Sequence, residues 1–125
     1  MIISTETGGN LSTTSASWTP IPGLVLRLPQ IVGETVLFVL NVPNPYANGN
    51  SYPGGNFGIA LNGEVQAPFA AFTYSQQAPS TPGRMPTTLC VSTKVTGPLT
   101  ATAMWSAIRN STVHIDSPAT LTMIL

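Results

Sequence analysis

Charge is scarce in this chain. Four basic and four acidic residues among 125 give a formal net charge of zero at pH 7, and Lys94 is the only lysine. Proteins that bind nucleic acids take much of their affinity from several contacts of lysine and arginine with phosphates, and polybasic membrane contacts need the same side chains. The composition therefore argues against a nucleic-acid partner and against a polybasic contact with a membrane surface.

Cysteine and histidine are each present once, as Cys90 and His114. A chain of 13.1 kDa buries a sizeable core without a disulfide, and the apolar run Thr88-Leu-Cys-Val91 predicts that Cys90 is a small buried side chain. Zinc and cupin-like sites need several histidine or carboxylate ligands, and calcium sites need several carboxylates. We therefore expect no cofactor and no metal.

Long apolar runs are absent too. No window reaches the roughly 20 apolar residues of a membrane-spanning helix. The segment from Met1 to Asn10 has neither the basic nor the apolar region of a secretory leader. We expect a soluble protein with no membrane insertion and no signal peptide, either cytoplasmic or released by a leaderless route.

The few carboxylates also argue against catalysis. Glycoside hydrolysis normally uses two carboxylates that flank one bond, whereas Glu6, Glu34, Glu64 and Asp116 are scattered, with Glu6 near an end that we expect to be flexible. A Ser–His–Asp arrangement built on His114 stays open, but the chain has no nucleophile-elbow pattern. We expect that the protein is not an enzyme.

Apolar residues alternate with polar ones or form short β-branched runs, and twelve prolines and eleven glycines interrupt them. This pattern predicts an all-β protein without helices. The predicted strands are Leu24–Leu28, Thr35–Val42, Asn56–Leu61, Ala70–Ser75, Thr87–Val95, Thr100–Ile108, Ser111–Asp116 and Ala119–Leu125, with an extra strand near Ser12–Trp18.

Seven or eight short strands in one domain, residues 1–125, indicate a β-sandwich, most simply a jelly roll. An immunoglobulin-like sandwich has the same strand count, but the cysteine pair is missing. The segment Val36–Val42 is apolar on both faces, and the apolar run Leu121–Leu125 closes the chain. Both favour a face buried against copies of the same chain. A central strand beneath a long loop is the alternative.

Two of the arginines, Arg84 and Arg109, lie in segments otherwise rich in glycine, proline, serine, threonine and aromatic residues. Because an unpaired buried guanidinium is costly, each must meet a distant carboxylate, a group of carbonyls or a polar ligand. His114 and Asp116, two residues apart in a predicted strand, point to the same side and either pair with each other or with an arginine. An internal ion-pair and hydrogen-bond cluster is the plainer interpretation.

The loop at residues 43–55 combines Tyr46 and Tyr52 with three asparagines. Tyrosine and asparagine suit a recognition surface, although both tyrosines could also serve as packing anchors. An arginine can fork two N–H donors onto neighbouring hydroxyl oxygens, and an aromatic ring packs on the C–H face of a pyranose. A neutral sugar is thus the ligand that fits best, and a structural β-sandwich such as a capsid, pilus or spore-coat subunit is the competing interpretation.

Five blocks of the sequence also resemble a known family. They are Ile21-Pro-Gly-Leu24, Leu40–Asn50, Phe72-Thr-Tyr-Ser75, Gly83-Arg-Met-Pro86 and Trp105–Ser117. In this order and nearly constant register they are similar to the TNF-like fucose-binding N-terminal domain of Burkholderia superlectins. The resemblance begins near Ile21, so residues 1–20 form an N-terminal segment outside it.

The resemblance implies a TNF-like jelly roll that assembles as a homotrimer and acts as a calcium-independent lectin. It also implies recognition of L-fucose and fucosylated, blood-group type glycans in clefts between subunits. The matching sugar-contacting residues, shared between two chains at each cleft, are Tyr46, Thr73, Tyr74, Thr81, Arg84 and Arg109. The matching residues that shape a secondary part of the cleft are His114, Asp116 and Ser117.

Three positions depart from the family pattern. Asn56, which we also assign to the secondary part of the cleft, stands where the family has a cleft tyrosine. Pro82 stands where a threonine precedes the Gly-Arg pair, and Phe69 near the place of an acid. Each loss can change affinity or sugar preference by about 1–3 kcal/mol where the missing group made a buried contact. A structural or adhesive jelly-roll trimer that has lost sugar binding is therefore the alternative function.

Overall fold

The computed structural model describes residues 1–28 and 32–125, and these residues form antiparallel β-sheets, as the sequence predicts. The described strands are β1 (Ile2–Glu6), β2 (Leu11–Thr13), β3 (Thr19–Leu28), β4 (Thr35–Val42), β5 (Tyr46–Asn48), β6 (Gly54–Leu61), β7 (Glu64–Val65), β8 (Ala70–Thr73), β9 (Thr87–Lys94), β10 (Leu99–Ile108), β11 (Thr112–Ile115) and β12 (Thr120–Ile124). Within residues 1–28 and 32–125, no helix is long and apolar enough to cross a membrane.

The first sheet has the strand order β1-β12-β4-β9. Strand β4 shows how alternation builds it: Val36, Phe38 and Leu40 point inward and are fully or almost fully buried. Leu37 and Val39 point outward and are half-buried. Because side chains alternate across a strand, the doubly apolar pattern of β4 therefore places aliphatic residues on both faces of the sheet.

The second sheet has the order β3-β10-β6, and both β7 and β8 pair with the free edge of β6. The two sheets share one buried core, which agrees with the predicted β-sandwich. Its largest fully buried side chains include Phe38, Leu40 and Met123 from the first sheet and Phe57, Ile59 and Trp105 from the second.

A small third sheet has the strand order β2-β11-β5.

Two glycines at the start of β6 allow neighbouring strands to pack closely against it. A Cβ on Gly55 would lie 2.5 Å from Cγ2 of Val113 in β11, and a Cβ on Gly54 would lie 2.1 Å from the carbonyl oxygen of Phe72 in β8. The neighbouring strands can approach β6 this closely only because these residues lack side chains.

Most predicted strands are confirmed, several with their ends shifted by a few residues. Thr35–Val42 matches β4 at both ends, whereas the extra strand near Ser12–Trp18 is the short β2. Strand β5 lies inside the loop at residues 43–55, where it pairs with β11. Alternation of apolar and polar residues could not predict this strand, because it is short, is flanked by proline and glycine, and pairs with a strand that is distant in sequence.

Two expectations about single residues are wrong. Cys90 is exposed. The alternation of β9 buries its neighbour Val91 in the core and turns Cys90 outward, opposite Val39 of β4. Glu6, expected in a flexible end, closes the edge strand β1 and pairs with Thr120.

Candidate functional site

Arg84 has a carboxylate partner within the chain. Its Nη1 donates to Oδ1 of Asp116 at 2.7 Å and to the carbonyl oxygen of Asn44 at 3.1 Å. The pair is open to solvent, with 46% of the arginine side chain and 30% of the aspartate side chain exposed, so it adds little to stability. The ion-pair interpretation of Asp116 is thus confirmed, and the contact fixes the direction of the guanidinium.

Tyr46 is the aromatic centre of this group. The Arg84 Cζ atom lies 4.4 Å from the centroid of the tyrosine ring, and the imidazole of His114 stacks on the same ring at 4.5 Å with an interplanar angle of 12°. Antiparallel pairing of β5 with β11 places Tyr46 opposite His114, which explains the stacking. We call Arg84, Tyr46, His114 and Asp116 the Arg84 cluster.

The hydroxyl of Tyr74 ties the Arg84 loop to β5. It donates to the carbonyl oxygen of Gly83 at 2.6 Å and accepts from the backbone N–H of Ala47 at 3.2 Å. Burial raises the pKa of Tyr74, opposed by the hydrogen bond from Ala47 and by the charge of Arg84, while Tyr46 adds to the rise. Since its proton is already donated to Gly83, Tyr74 positions Arg84 through the residue next to it.

Arg109 has no carboxylate among its described hydrogen-bond partners and is held by carbonyls instead. Its Nε donates to the carbonyl oxygens of Ser51 and Tyr52, both at 2.9 Å, and its Nη2 donates to that of Tyr52 at 2.6 Å. Nη2 also donates to the hydroxyl of Thr73. We call Arg109, Ser51, Tyr52 and Thr73 the Arg109 cluster.

Left-handed backbone conformations shape the Arg109 cluster. Arg109 and Asn110 have φ angles of 48° and 58° in the turn between β10 and β11, and Tyr52 has a φ of 51°. The Thr73 hydroxyl donates to the carbonyl of Tyr52 at 3.1 Å, and the backbone N–H of Tyr52 donates to the carbonyl of Gln77 at 2.9 Å. These bonds turn the carbonyls of the 43–55 loop towards the guanidinium.

The two clusters meet along the chain at Thr73 and Tyr74. Strand β8 ends at Thr73, whose side chain is exposed and contacts Arg109. The next side chain, Tyr74, contacts the Arg84 loop and packs edge-on against the core residue Phe72 at 5.8 Å. Neighbouring residues therefore serve different clusters, and in the described part of the chain Arg84 and Arg109 share no hydrogen-bond partner.

The other predicted site residues take separate places. Thr81 is exposed in the loop before Arg84. The hydroxyl of Ser117 accepts from Nδ2 of Asn44 at 3.3 Å, beside the Arg84 cluster. Asn56 lies on the outer face of the second sheet, where its Nδ2 donates to the hydroxyl of Ser106 at 3.0 Å.

The sequence pointed to Asp116 as a partner of an arginine but did not identify the carbonyl acceptors. The carbonyls of Asn44, Ser51 and Tyr52 are backbone groups, so residue type carries no signal for them. The one indication of these acceptors was the high content of proline, asparagine and glycine in residues 43–55, because such residues form turns whose carbonyls are not paired within a sheet.

The described residues offer little for metal chemistry or for enclosed binding. They contain no group of three or more histidine, cysteine, aspartate or glutamate side chains placed to hold a metal ion. No enclosed pocket is present in the single chain over the same residues. Both clusters are open surfaces.

Comparison with known proteins identifies one family. The sequence model of the family described as "Bc2l-C, N-terminal domain" matches residues 8–124. No curated protein matches the chain.

Two solved structures resemble this chain weakly in backbone structure, at low sequence identity. The insecticidal delta-endotoxin Cry8Ea1 from Bacillus thuringiensis matches with 14% identity and a TM-score of 0.48 over 94% of this chain. Dimeric latent PorU from Porphyromonas gingivalis matches with 11% identity and a TM-score of 0.47 over 96% of it. The chain spans 19% of the first protein and 13% of the second.

The only histidine reports on the Arg84 cluster. Burial lowers the pKa of His114 below its ordinary value of 6.5; Asp116 opposes this shift and Arg84 adds to it. We expect the His114 Hε1 resonance to titrate with a midpoint below 6.5 in an NMR pH series. The associated stability is fully present above the ordinary pKa and is lost as the pH falls through the midpoint in the folded protein.

We expect Asp116→Asn to lower this midpoint further, because it removes the carboxylate that favours the imidazolium and leaves the Arg84 charge uncompensated. Glu34→Gln is the control, since Glu34 does not contribute to the pKa of His114. A midpoint that rises, or does not change, in Asp116→Asn would contradict this account of the cluster.

Proposed function

We propose that this chain, which belongs to the Bc2l-C N-terminal domain family, is a calcium-independent lectin for L-fucose and fucosylated glycans. The observation that carries the proposal is Arg109, an exposed arginine anchored by carbonyls and a hydroxyl rather than by an acid. Its neutral partners fix the direction of the guanidinium and occupy Nε and Nη2, so the remaining N–H donors can form charge-assisted hydrogen bonds to the hydroxyl oxygens of a sugar.

The donor geometry of Arg109 supports this role. A guanidinium has five N–H donors, and the described protein acceptors take Nε and Nη2. The Nη1 edge remains for neighbouring hydroxyl oxygens of a pyranose. Thr73 accepts from Arg109 and adds a hydroxyl beside that edge.

The different partners of the two arginines are compatible with a binding site shared between two copies. The Arg84 cluster offers a cation and an aromatic ring, and Thr81 is exposed on the preceding loop. The Arg109 cluster offers a second cation and Thr73. Within one chain the two arginines have different partners and enclose no pocket in the described residues. In the proposed assembly, the Arg84 cluster of one subunit faces the Arg109 cluster of the next.

The strand order supports a TNF-like jelly roll. Counting only the eight main strands in chain order (β1, β3, β4, β6, β8, β9, β10 and β12), the two sheets have the orders 1-8-3-6 and 2-7-4-5. Pairing the first strand with the last and interleaving the rest in this way is the double Greek key of a jelly roll.

The outer face of the first sheet is the proposed contact between copies. Its register places Ile2, Ile124 and Leu37 side by side, and Thr122, Val39 and Cys90 in the next row. Ile2 is 70% exposed and Ile124 39% exposed in the single chain. An open face of aliphatic and small polar side chains is suited to a homotrimeric interface.

A second candidate is a structural or adhesive trimer that does not bind sugar. The ion pair of Arg84 with Asp116 favours it, because that cation already has a partner. A broad glycan array without signal, from a protein of intact trimer mass, would support this candidate.

Removing either arginine tests the proposed function. We expect Arg84→Ala and Arg109→Ala each to weaken binding of methyl α-L-fucoside by at least about tenfold in calorimetric titration, because each removes charge-assisted hydrogen bonds to the sugar. Arg27→Ala is the matched control, since Arg27 is exposed in β3 and belongs to neither cluster. The titrations are run with and without chelator, and unchanged binding in both cluster variants would refute the proposed roles.

The exposed thiol of Cys90 tests the proposed interface. If the outer face of the first sheet joins copies, maleimide labelling of Cys90 is at least about tenfold slower in the native assembly than in the unfolded chain. The control protein combines Cys90→Ser with Ser17→Cys, which moves the thiol to an exposed site between β2 and β3. A native protein of trimer mass that labels at Cys90 as fast as the control would place the interface elsewhere.

A further inference from the structure

A pair of aromatic side chains lies on the outer face of the second sheet. Trp18 and Phe69 pack edge to face, with ring centroids 5.4 Å apart and an interplanar angle of 82°. Phe69 is 52% exposed, and Trp18 is half-buried. An exposed phenylalanine supported by a tryptophan is unusual for a position that only has to cover the sheet.

Gly58 leaves room for the tryptophan ring against the sheet. A Cβ at Gly58 would be 3.3 Å from the Trp18 ring and 3.0 Å from Cγ1 of Val65. The indole therefore rests on bare backbone of β6, with Val65 at one side and Phe69 against it. This support fixes the orientation of both rings.

The pair continues the same face that carries the Arg109 cluster. In β8 and the residue before it, Thr73, Ala71 and Phe69 alternate outward and are exposed, while Phe72 between them is buried. Ala71 lies opposite Asn56 of β6, and Thr73 opposite Gly54. At about 3.3 Å per residue, Phe69 is roughly 13 Å along the strand direction from Thr73, with Asn56 between them.

The chemistry of this strip suits a neutral oligosaccharide. The outward side chains Thr73, Ala71, Asn56, Trp18 and Phe69 carry no charge, so a charged ligand gains nothing from them. Aromatic faces pack on the C–H faces of pyranose rings, and the asparagine amide and the indole N–H serve hydroxyl oxygens.

We propose that Trp18 and Phe69 form a second sugar-ring subsite, which binds a neutral hexopyranose further along the glycan whose fucose lies at Arg109. This inference rests on the proposed function for the position of the fucose. Continuity of the strip with the Arg109 cluster selects a glycan as the occupant rather than a second copy of the chain.

Binding of two ligands of different length tests the subsite. Wild type and Phe69→Ala are titrated with methyl α-L-fucoside and with a blood-group H-type trisaccharide. Loss of one ring contact weakens the trisaccharide about three- to tenfold and leaves the monosaccharide unchanged. Val32→Ala is the control, because Val32 is an exposed aliphatic residue, 67% exposed, in the segment between β3 and β4.

Tryptophan fluorescence gives a readout that does not depend on fucose. Of the two tryptophans, Trp105 is buried, with 2% of its surface exposed, so a ligand that contacts the strip changes the emission of Trp18. The trisaccharide and the fucose-free disaccharide lactose are both titrated. Trp18→Phe keeps a ring on Gly58 and abolishes the change.

The outcomes separate the two proposals. If fucose fails to bind but lactose changes Trp18 emission, the proposed fucose function fails and the subsite stands. The subsite is overturned if Phe69→Ala weakens both ligands equally or neither. It is also overturned if no sugar changes Trp18 emission, or if Phe69→Ala alters the assembly mass, which would make Phe69 a subunit contact.

Discussion

The guanidinium of Arg109 is fastened to backbone carbonyls and to a threonine hydroxyl, and the proposed function depends on this mode of attachment. Because the carbonyls of Ser51 and Tyr52 carry no net charge, the guanidinium that they hold keeps its positive charge, and its Nη1 donors have no acceptor among the described residues. Two elements hold the side chain of this arginine, the 43–55 loop and the end of β8, while its backbone lies in the turn after β10.

That attachment depends in turn on how closely the strands approach one another. Gly54 lets β8 lie against β6, which brings Thr73 to the carbonyl of Tyr52, and Gly55 lets β11 lie against the same strand. The next residue, Tyr74, donates a hydrogen bond from its hydroxyl to the carbonyl of Gly83 and so holds the loop that carries Arg84. One short segment therefore supports both clusters, although the two arginines share no hydrogen-bond partner among the described residues.

The fold could be predicted from the sequence where apolar stretches of strand length are bounded by polar, glycine or proline residues. The continuous apolar run of β4 predicted its bounds, and the lack of a helical pattern predicted the all-β class. Strands such as β5 and β1 escaped notice because distant partners stabilise them, so local propensity says little about them. Cys90 was misjudged because an apolar run does not tell which of its residues faces the core. The scarcity of charge and the family resemblance pointed to the side chains of the candidate site, whereas its carbonyl acceptors are backbone groups that residue type does not indicate.

The central claim, that each sugar lies between Arg84 of one copy and Arg109 of the next, is tested most directly by mixing subunits. Arg84→Ala and Arg109→Ala chains are unfolded together, refolded into mixed assemblies and titrated with methyl α-L-fucoside beside each variant alone. In a cyclic trimer containing both variants, one of the three clefts combines the two intact arginines. The account predicts that the mixture regains up to about a third of wild-type binding capacity while each variant alone stays inactive. A mixture as inactive as its parents would show that both arginines serve a site within one chain, or none.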